Sequence, residues 1–231
     1  MPHPDFAQFI DTFGDATSRA PVPEDVIEQY QGILPDFLLD VWREEGWCAY
    51  ADGLVWTVDP REFEDIVTDW VAESGFEEID RYHAFARSAF GDLYVYGERT
   101  GVNLTIACST HDLLADVDDL DEKSPEAREE TMAAFFASAD YDRFDLEDEN
   151  DEPMFERALE TLGPLAADQV YAFEPAIALG GDVLVESLNK VRLDVYLAIL
   201  REMADPDSPL LEDDEDDDDG EDEEDEEWRD R

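Results

Sequence analysis

Three histidines and a few hydroxyl groups are the side chains of this sequence that could support acid–base or nucleophilic chemistry. His83 lies in the strand-like run 81–85, where a histidine that packs or faces solvent is commoner than a catalytic one. Ser109 and His111 are too close in sequence to form a catalytic triad, and no oxyanion-hole motif accompanies them. The sequence therefore predicts no catalytic residues and no hydrolase activity.

The acidic segment 140–152 is the one stretch that could bind a hard cation such as Ca²⁺, which takes several carboxylates from a short loop. It does not fit an EF-hand, because the glycine of the sharp turn is missing and Phe144 takes a ligand position. A solvated loop whose carboxylates cap the next helix is favoured. We expect no metal and no cofactor, and a divalent-metal enzyme stays open only as a minor alternative.

Two other features bear on chemistry and compartment. Gly180 and Gly181 lack the Lys and Ser/Thr of a phosphate-binding loop, so they predict a turn. Cys48 and Cys108 both stand among apolar residues, which indicates buried free thiols in a reducing compartment. The first residues show no signal peptide, and no apolar run approaches the length of about 18 that spans a bilayer. We therefore expect a cytoplasmic protein without a membrane segment.

The charge of the chain excludes one large class of partners. Its 231 residues include 15 Lys plus Arg against 65 Asp plus Glu, a formal net charge of -50. Direct binding to nucleic acid is excluded, because phosphate contacts need a basic face, and anionic membranes are disfavoured for the same reason. Only Lys123 and Lys190 are lysines. Acidity of this kind fits either a surface made for a basic partner or adaptation to a salt-rich cytoplasm.

The density of negative charge is highest at the end of the chain. Residues 205–231 contain 18 acidic and 2 basic side chains, so a disordered acidic tail is predicted there. Residues 1–204 still have a net charge of -34, and the tail therefore does not account for the acidity of the rest.

Hydrophobic periodicity predicts the secondary structure. Helices are expected over 4–13, from Pro23, from Pro35 to Gly46 and after Pro60. Strands are expected at 47–50, 54–58, 81–89, 92–97 and 102–108, and their short connections make neighbours antiparallel.

The second half is expected to contain three helices and one strand. Helices are predicted over 124–137, from Pro153 to Gly163 and over 191–203, with a strand at 170–173. The last helix has Val191, Val195, Ile199 and Met203 along one side. The predicted fold class is α+β, an antiparallel sheet flanked by helices with a disordered acidic C-terminal tail.

Particular segments resemble a known family. The residues Val22-Pro23, Leu34-Pro35, Asp52-Gly53-Leu54, Trp56 and the run 86–93 are similar to the GAD-like domain. The later runs 148–155, 171–176 and 179–181 resemble the domain that usually follows it. The resemblance implies a GAD-like domain at 1–110 and a C-terminal immunity-type domain packed on it at 111–204. The acidic tail at 205–231, predicted from its charge, is not part of the family pattern.

Proteins with this pairing resemble immunity proteins of bacterial type VI secretion. The resemblance implies a protein that binds and neutralises a cognate toxin, a DNase with a basic groove, by occlusion or conformational inhibition and without catalysis. The alternative is a regulatory interaction module on the same scaffold. For the partner-binding site we select six carboxylates of the acidic loop: Asp145, Glu147, Asp148, Glu149, Asp151 and Glu152.

Overall fold

The computed structural model describes residues 3–203 and 207–210. Within those ranges, nine strands and eight α-helices form the predicted α+β fold. The strands are β1 (Ser18–Ala20), β2 (Trp47–Tyr50), β3 (Val55–Thr57), β4 (Tyr82–Ser88), β5 (Leu93–Gly97), β6 (Gly101–Ala107), β7 (Asp112–Ala115), β8 (Gln169–Phe173) and β9 (Leu188–Arg192). The helices are α1 (Pro4–Phe13), α2 (Glu24–Tyr30), α3 (Asp36–Glu44), α4 (Glu64–Val71), α5 (Phe76–Ile79), α6 (Pro125–Ala137), α7 (Phe155–Leu162) and α8 (Leu193–Met203).

The first seven strands form one antiparallel sheet in the order in which they occur along the chain. Strands β8 and β9 pair with each other in a separate two-stranded sheet. The short connections from β2 to β3 and between successive strands of β4–β7 require antiparallel neighbours, because a parallel neighbour would need a long crossover. Longer helical segments connect β1 to β2 and β3 to β4.

Helices α1 and α6 cover one face of the large sheet with aromatic side chains. The ring of Phe9 contacts Tyr50 on β2 at 5.1 Å between centroids, and Phe135 on α6 contacts Phe85 at 4.9 Å. The rings of Phe6 and Phe136 join the two helices at 5.1 Å. Tightly packed edge-to-face pairs of this kind explain why the sequence uses so many phenylalanines in these two helices.

The opposite face is covered only in part. Paired residues on neighbouring antiparallel strands point to the same side, so Ser18, Ala49, Trp56, Arg87 and Leu93 form one row across β1–β5. Helices α4 and α8 and the β8–β9 hairpin pack on this face. Their cover ends before β1, where the row remains open.

Four short elements were not predicted from the sequence: β1, α5, β7 and β9. Strands β1 and β9 are mostly exposed, so they lack the apolar alternation that identifies a half-buried strand. Strand β7 has four residues and α5 one turn of helix, which is too short for any periodic pattern.

The last helix turns the predicted apolar stripe toward solvent. Val191 belongs to β9, and Val195, Ile199 and Met203 are exposed by 47%, 42% and 37%. The buried side of α8 consists of Leu193, Tyr196, Leu197 and Leu200. These positions also repeat at helical spacing, so the sequence offers two apolar stripes and only packing against the sheet selects one.

Four residues of the predicted tail are described and contact the folded part. The N–H of Leu113 donates to the carbonyl of Asp207 at 2.8 Å, beside β7. Ser208 is buried, and its hydroxyl donates to the carbonyl of Ser74 at 2.7 Å. The folded chain thus extends beyond residue 204, and the rest of the predicted tail, residues 205–206 and 211–231, lies outside the described residues.

The GAD-like domain and the immunity-type domain predicted from the sequence share one sheet and one hydrophobic core. Strand β7 follows residue 110 yet belongs to the same sheet as β1–β6, and α6 packs on that sheet next to α1. One continuous hydrophobic core includes residues from both parts. The boundary at residue 110 stays a prediction.

Candidate functional site

The acidic loop selected from the sequence connects α6 to α7, and Asp145 uses its carboxylate within the loop. Its Oδ1 accepts hydrogen bonds from the backbone N–H groups of Leu146, Met154 and Phe155 at 2.8, 3.3 and 2.9 Å. The last two of these groups stand at the start of α7 and have no partner inside the helix. Burial raises the pKa of Asp145, although these hydrogen bonds act in the opposite direction.

Asp148 is likewise used internally. It is buried, and its Oδ1 accepts from the backbone N–H groups of Asn150 and Glu152 at 2.8 and 3.2 Å. Its Oδ2 accepts from Nη1 of Arg157 on α7 at 2.7 Å. The hydrogen bond from Arg157 is the main reason why the pKa of Asp148 is lowered. This carboxylate fixes the turn and ties the loop to the helix.

The other four selected carboxylates are exposed. They belong to Glu147, Glu149, Asp151 and Glu152. Glu149 also accepts a long hydrogen bond of 3.4 Å from the N–H of Val183. The loop therefore combines two internal carboxylates that hold its shape with four that are exposed to solvent.

The described residues 3–203 and 207–210 contain no group of three or more His, Cys, Asp or Glu side chains that could hold a metal ion. Within the same residues, no helix is long and apolar enough to cross a membrane.

The side chains considered for acid–base chemistry have structural surroundings. His83 is buried, and its Nε2 lies 2.8 Å from Oε1 of Glu98. The hydroxyl of Ser109 donates to the carbonyl of Phe90 at 3.1 Å. His111 is buried with its ring 5.6 Å from that of Trp70, and burial lowers its pKa. Ser109 and His111 form no hydrogen bond with each other in the described structure, so they are not arranged as nucleophile and base.

A second surface, which we call the tryptophan cleft, occupies the open end of the large sheet. Its volume is about 530 Å³. Trp47, Trp56 and Arg87 line it from the sheet, Phe63 lines it from just before α4, and Ile66 lines it from within that helix. Another wall comes from the ends of the β8–β9 hairpin, at residues 167–168 and 192–194. The cleft is therefore built by both predicted parts of the chain.

Arg87 is the unusual residue of the tryptophan cleft, because only 1% of it is exposed. Its guanidinium lies over the indole of Trp56, 4.6 Å from the ring centroid. Nη1 donates to the carbonyl of Ser88 and Nη2 to that of Ala167, each at 3.0 Å. Burial lowers the pKa of Arg87 to about 9, although the negative charge of Asp168 raises it in part.

Two of the four acidic residues that line the cleft form ion pairs with arginines other than Arg87. Asp59 pairs with Arg61 and Asp194 with Arg192, each at 2.6 Å. In the part of the chain that the structure describes, no carboxylate forms an ion pair with Arg87. The indole N–H of Trp47 is buried and has no hydrogen-bond partner there either.

Sequence reasoning did not select the tryptophan cleft. The available signal was Arg87 itself, one charged residue inside the apolar strand β4, whose seven residues are all buried. Ala167, whose carbonyl accepts from Arg87, is 80 residues away in sequence, and Asp168 follows it. No local pattern connects them to Arg87.

Comparisons with family models match two segments of the chain. Residues 5–110 match the family model of the GAD-like domain, and residues 129–204 match the model described as T6SS immunity protein Tdi1, C-terminal. No curated protein matches the sequence.

A solved structure is also similar, the crystal structure of Atu4351 from Agrobacterium tumefaciens. It is 23% identical, with a TM-score of 0.76, over 86% of this chain and 89% of that one. At that identity the likeness shows a shared fold. The two family models together cover most of the body of the chain, in the order expected from the sequence. Residues 5–110 therefore belong to the GAD-like domain family, and residues 129–204 to the family of the T6SS immunity protein Tdi1 C-terminal domain.

Proposed function

We propose that this protein binds and neutralises a type VI secretion toxin that is a DNase, inside the cytoplasm of the cell that produces both. The observation that carries the proposal is the match of residues 129–204 to the C-terminal domain of the Tdi1 immunity protein, directly after a GAD-like domain. An immunity protein acts on a cognate toxin, so the partner is a protein and the activity is binding.

The charge of the chain supports a DNase as the toxin. A DNase must attract phosphate, and its DNA-binding groove is therefore basic. A protein with a net charge of -50 is steered toward such a groove, with an association rate above the unsteered value of about 10⁵–10⁶ M⁻¹s⁻¹. Inhibition needs only that the groove is covered or that the toxin is held in an inactive conformation.

The acidic loop 145–152 is the surface that we propose for this contact. Four of its carboxylates are exposed, on Glu147, Glu149, Asp151 and Glu152, and the internal bonds of Asp145 and Asp148 hold the backbone that presents them. A loop that is ordered before binding loses little conformational entropy when it meets its partner. Asp145 and Asp148 thus serve the interface by positioning it.

The test is to co-express the protein with the product of the adjacent reading frame, purify the pair, and measure DNA cleavage by that product alone and in the complex. We expect a stoichiometric complex at 0.15 M KCl that suppresses cleavage. We also expect the complex to persist at 1 M KCl, where charge steering is screened and packing must hold it.

The two alternative outcomes have distinct meanings. A stable complex whose toxin cleaves no DNA in the free state, but has another activity that the complex blocks, would keep the immunity role and reject the DNase. The absence of a complex at both salt concentrations, with the protein folded, would favour a regulatory module that uses the same scaffold.

A further inference from the structure

We propose that the tryptophan cleft binds a small aromatic carboxylate, with its carboxylate at Arg87 and its ring against Trp47 and the neighbouring apolar side chains. This site is separate from the acidic loop, and the proposal does not depend on the immunity function.

The first argument concerns unused hydrogen-bond donors. A guanidinium carries five N–H groups, and backbone carbonyls accept from only two of those of Arg87. Buried donors without acceptors are costly, and a ligand that supplies two oxygen atoms removes that cost.

The second argument concerns charge. A buried cation is normally neutralised by a carboxylate of the same protein, and this chain has 65 acidic residues to choose from. Nevertheless, Asp59 and Asp194, which line the cleft, form ion pairs with other arginines. The charge of Asp168 raises the pKa of Arg87, but among the described residues no carboxylate forms an ion pair with the guanidinium. An incoming carboxylate matches the planar fork of an arginine better than any other common anion.

The third argument concerns size and shape. A volume of about 530 Å³ lies within the usual range of about 300–1,000 Å³ for small-molecule sites. The indole of Trp47, the ring of Phe63 and the side chain of Ile66 offer apolar surface for a flat ring. The small side chains of Ser18 and Ala20 line the same cleft from the exposed edge strand β1, and they leave its entrance open.

Phenylacetate is the probe for the test, and phenylacetamide is its neutral match of almost equal shape. Binding to the full chain is measured by calorimetry and by tryptophan fluorescence at pH 7.5 and 0.15 M NaCl. We expect phenylacetate to bind with a dissociation constant below about 1 mM and phenylacetamide to bind at least tenfold more weakly.

Two variants locate the binding site. Ala20→Phe places a ring at the entrance of the cleft from an exposed position, so it should abolish phenylacetate binding without loss of folding. Arg19→Phe is the matched control, because Arg19 is also exposed on β1 but points to the other side of the sheet, where it pairs with Glu45. We expect Arg19→Phe to bind phenylacetate as the wild type does.

A third variant tests the role of the guanidinium. Arg87→Lys keeps a positive charge but loses the planar fork, and we expect phenylacetate affinity to fall at least tenfold while the far-ultraviolet spectrum is unchanged. Equal binding of phenylacetate and phenylacetamide, or binding that survives Ala20→Phe, would overturn the proposal. The lack of any binding at 5 mM phenylacetate by the folded wild type would overturn it as well.

Discussion

Nη1 of Arg157 donates a hydrogen bond of 2.7 Å to Oδ2 of Asp148, and this pair anchors the acidic loop to helix α7. The loop contains an antiparallel bridge between Glu147 and Pro153, so its two ends are held together as well. Such a loop is an ordered surface that presents its exposed carboxylates in fixed positions. This order is what allows charge changes on the loop to be interpreted as effects on contact rather than on folding.

Reversal of three exposed loop charges should weaken toxin binding. In the triple variant Glu147→Lys, Glu149→Lys and Glu152→Lys, we expect the dissociation constant of the toxin complex to rise more than tenfold, because oppositely charged groups would become like charges at the interface. Surface plasmon resonance or calorimetry at 0.15 M salt measures the change.

The control for this experiment has the same change in net charge at another place. The variant Glu24→Lys, Asp25→Lys and Glu28→Lys reverses three exposed charges on α2, far from the loop in sequence. Long-range steering decreases about equally in both variants, since it follows the total charge. Equal affinities for the two variants would show that the loop is outside the interface.

Local signals were sufficient to predict much of the fold. Ser124 followed by Pro125 predicted the start of α6, and the hydroxyl oxygen of Ser124 does accept a hydrogen bond from the N–H of Ala127. Gly163 predicted the end of α7 and takes a positive φ of 74° there. These signals work because each depends on residues within one turn of the chain.

Burial of Asp92 makes the stability of the protein depend on pH. Burial raises the pKa of this carboxyl to about 6, while the hydrogen bond from Ser88 lowers it in part. A carboxyl whose pKa is raised on folding favours the folded state below its unfolded pKa of about 3.9 and disfavours it as pH rises through about 6.

Asp92→Asn should remove this dependence. At pH 7 we expect the variant to be more stable than the wild type by up to about 3 kcal/mol, and at pH 4 we expect the two to be nearly equal. Urea unfolding at both values measures the difference. Asp15→Asn, at an exposed position, is the control and should leave the pH profile unchanged. An equal gain for Asp92→Asn at both pH values would contradict the assigned pKa.

Replacement of a side chain by alanine should affect stability differently on the two sides of α8. Leu197 is fully buried and reaches the turn at Gly91, so Leu197→Ala should lower the free energy of unfolding by about 2–5 kcal/mol. Ile199 is 42% exposed, and Ile199→Ala should change it by less than about 0.5 kcal/mol. Denaturant unfolding of both variants distinguishes the sides. A larger loss for Ile199→Ala would place the predicted stripe, rather than Leu197, against the sheet.

The parts of the molecule that the sequence did not predict depend on contacts between distant residues. The sequence predicted that carboxylates of the acidic loop cap the next helix. Asp145 does so by accepting from the N–H groups of Met154 and Phe155. The cleft was not foreseen, because Arg87 meets Ala167 only after the β8–β9 hairpin packs on the sheet. The orientation of α8 was not predicted for the same reason. Helical periodicity identifies apolar sides of the helix, but only contacts with the sheet decide which side is buried.

The segment 207–210 should contribute to stability although it lies beyond the last helix. Ser208→Ala leaves the buried carbonyl of Ser74 without its donor, and we expect a loss of about 1–3 kcal/mol. A chain that ends at Leu210 should unfold at the same denaturant concentration as the full chain, whereas one that ends at Met203 should unfold earlier. The reason is that only the shorter chain loses the bond from Leu113 to Asp207 and the contact of Leu210 with Gly75. Equal midpoints for these two truncated chains would show that the segment adds nothing to the fold.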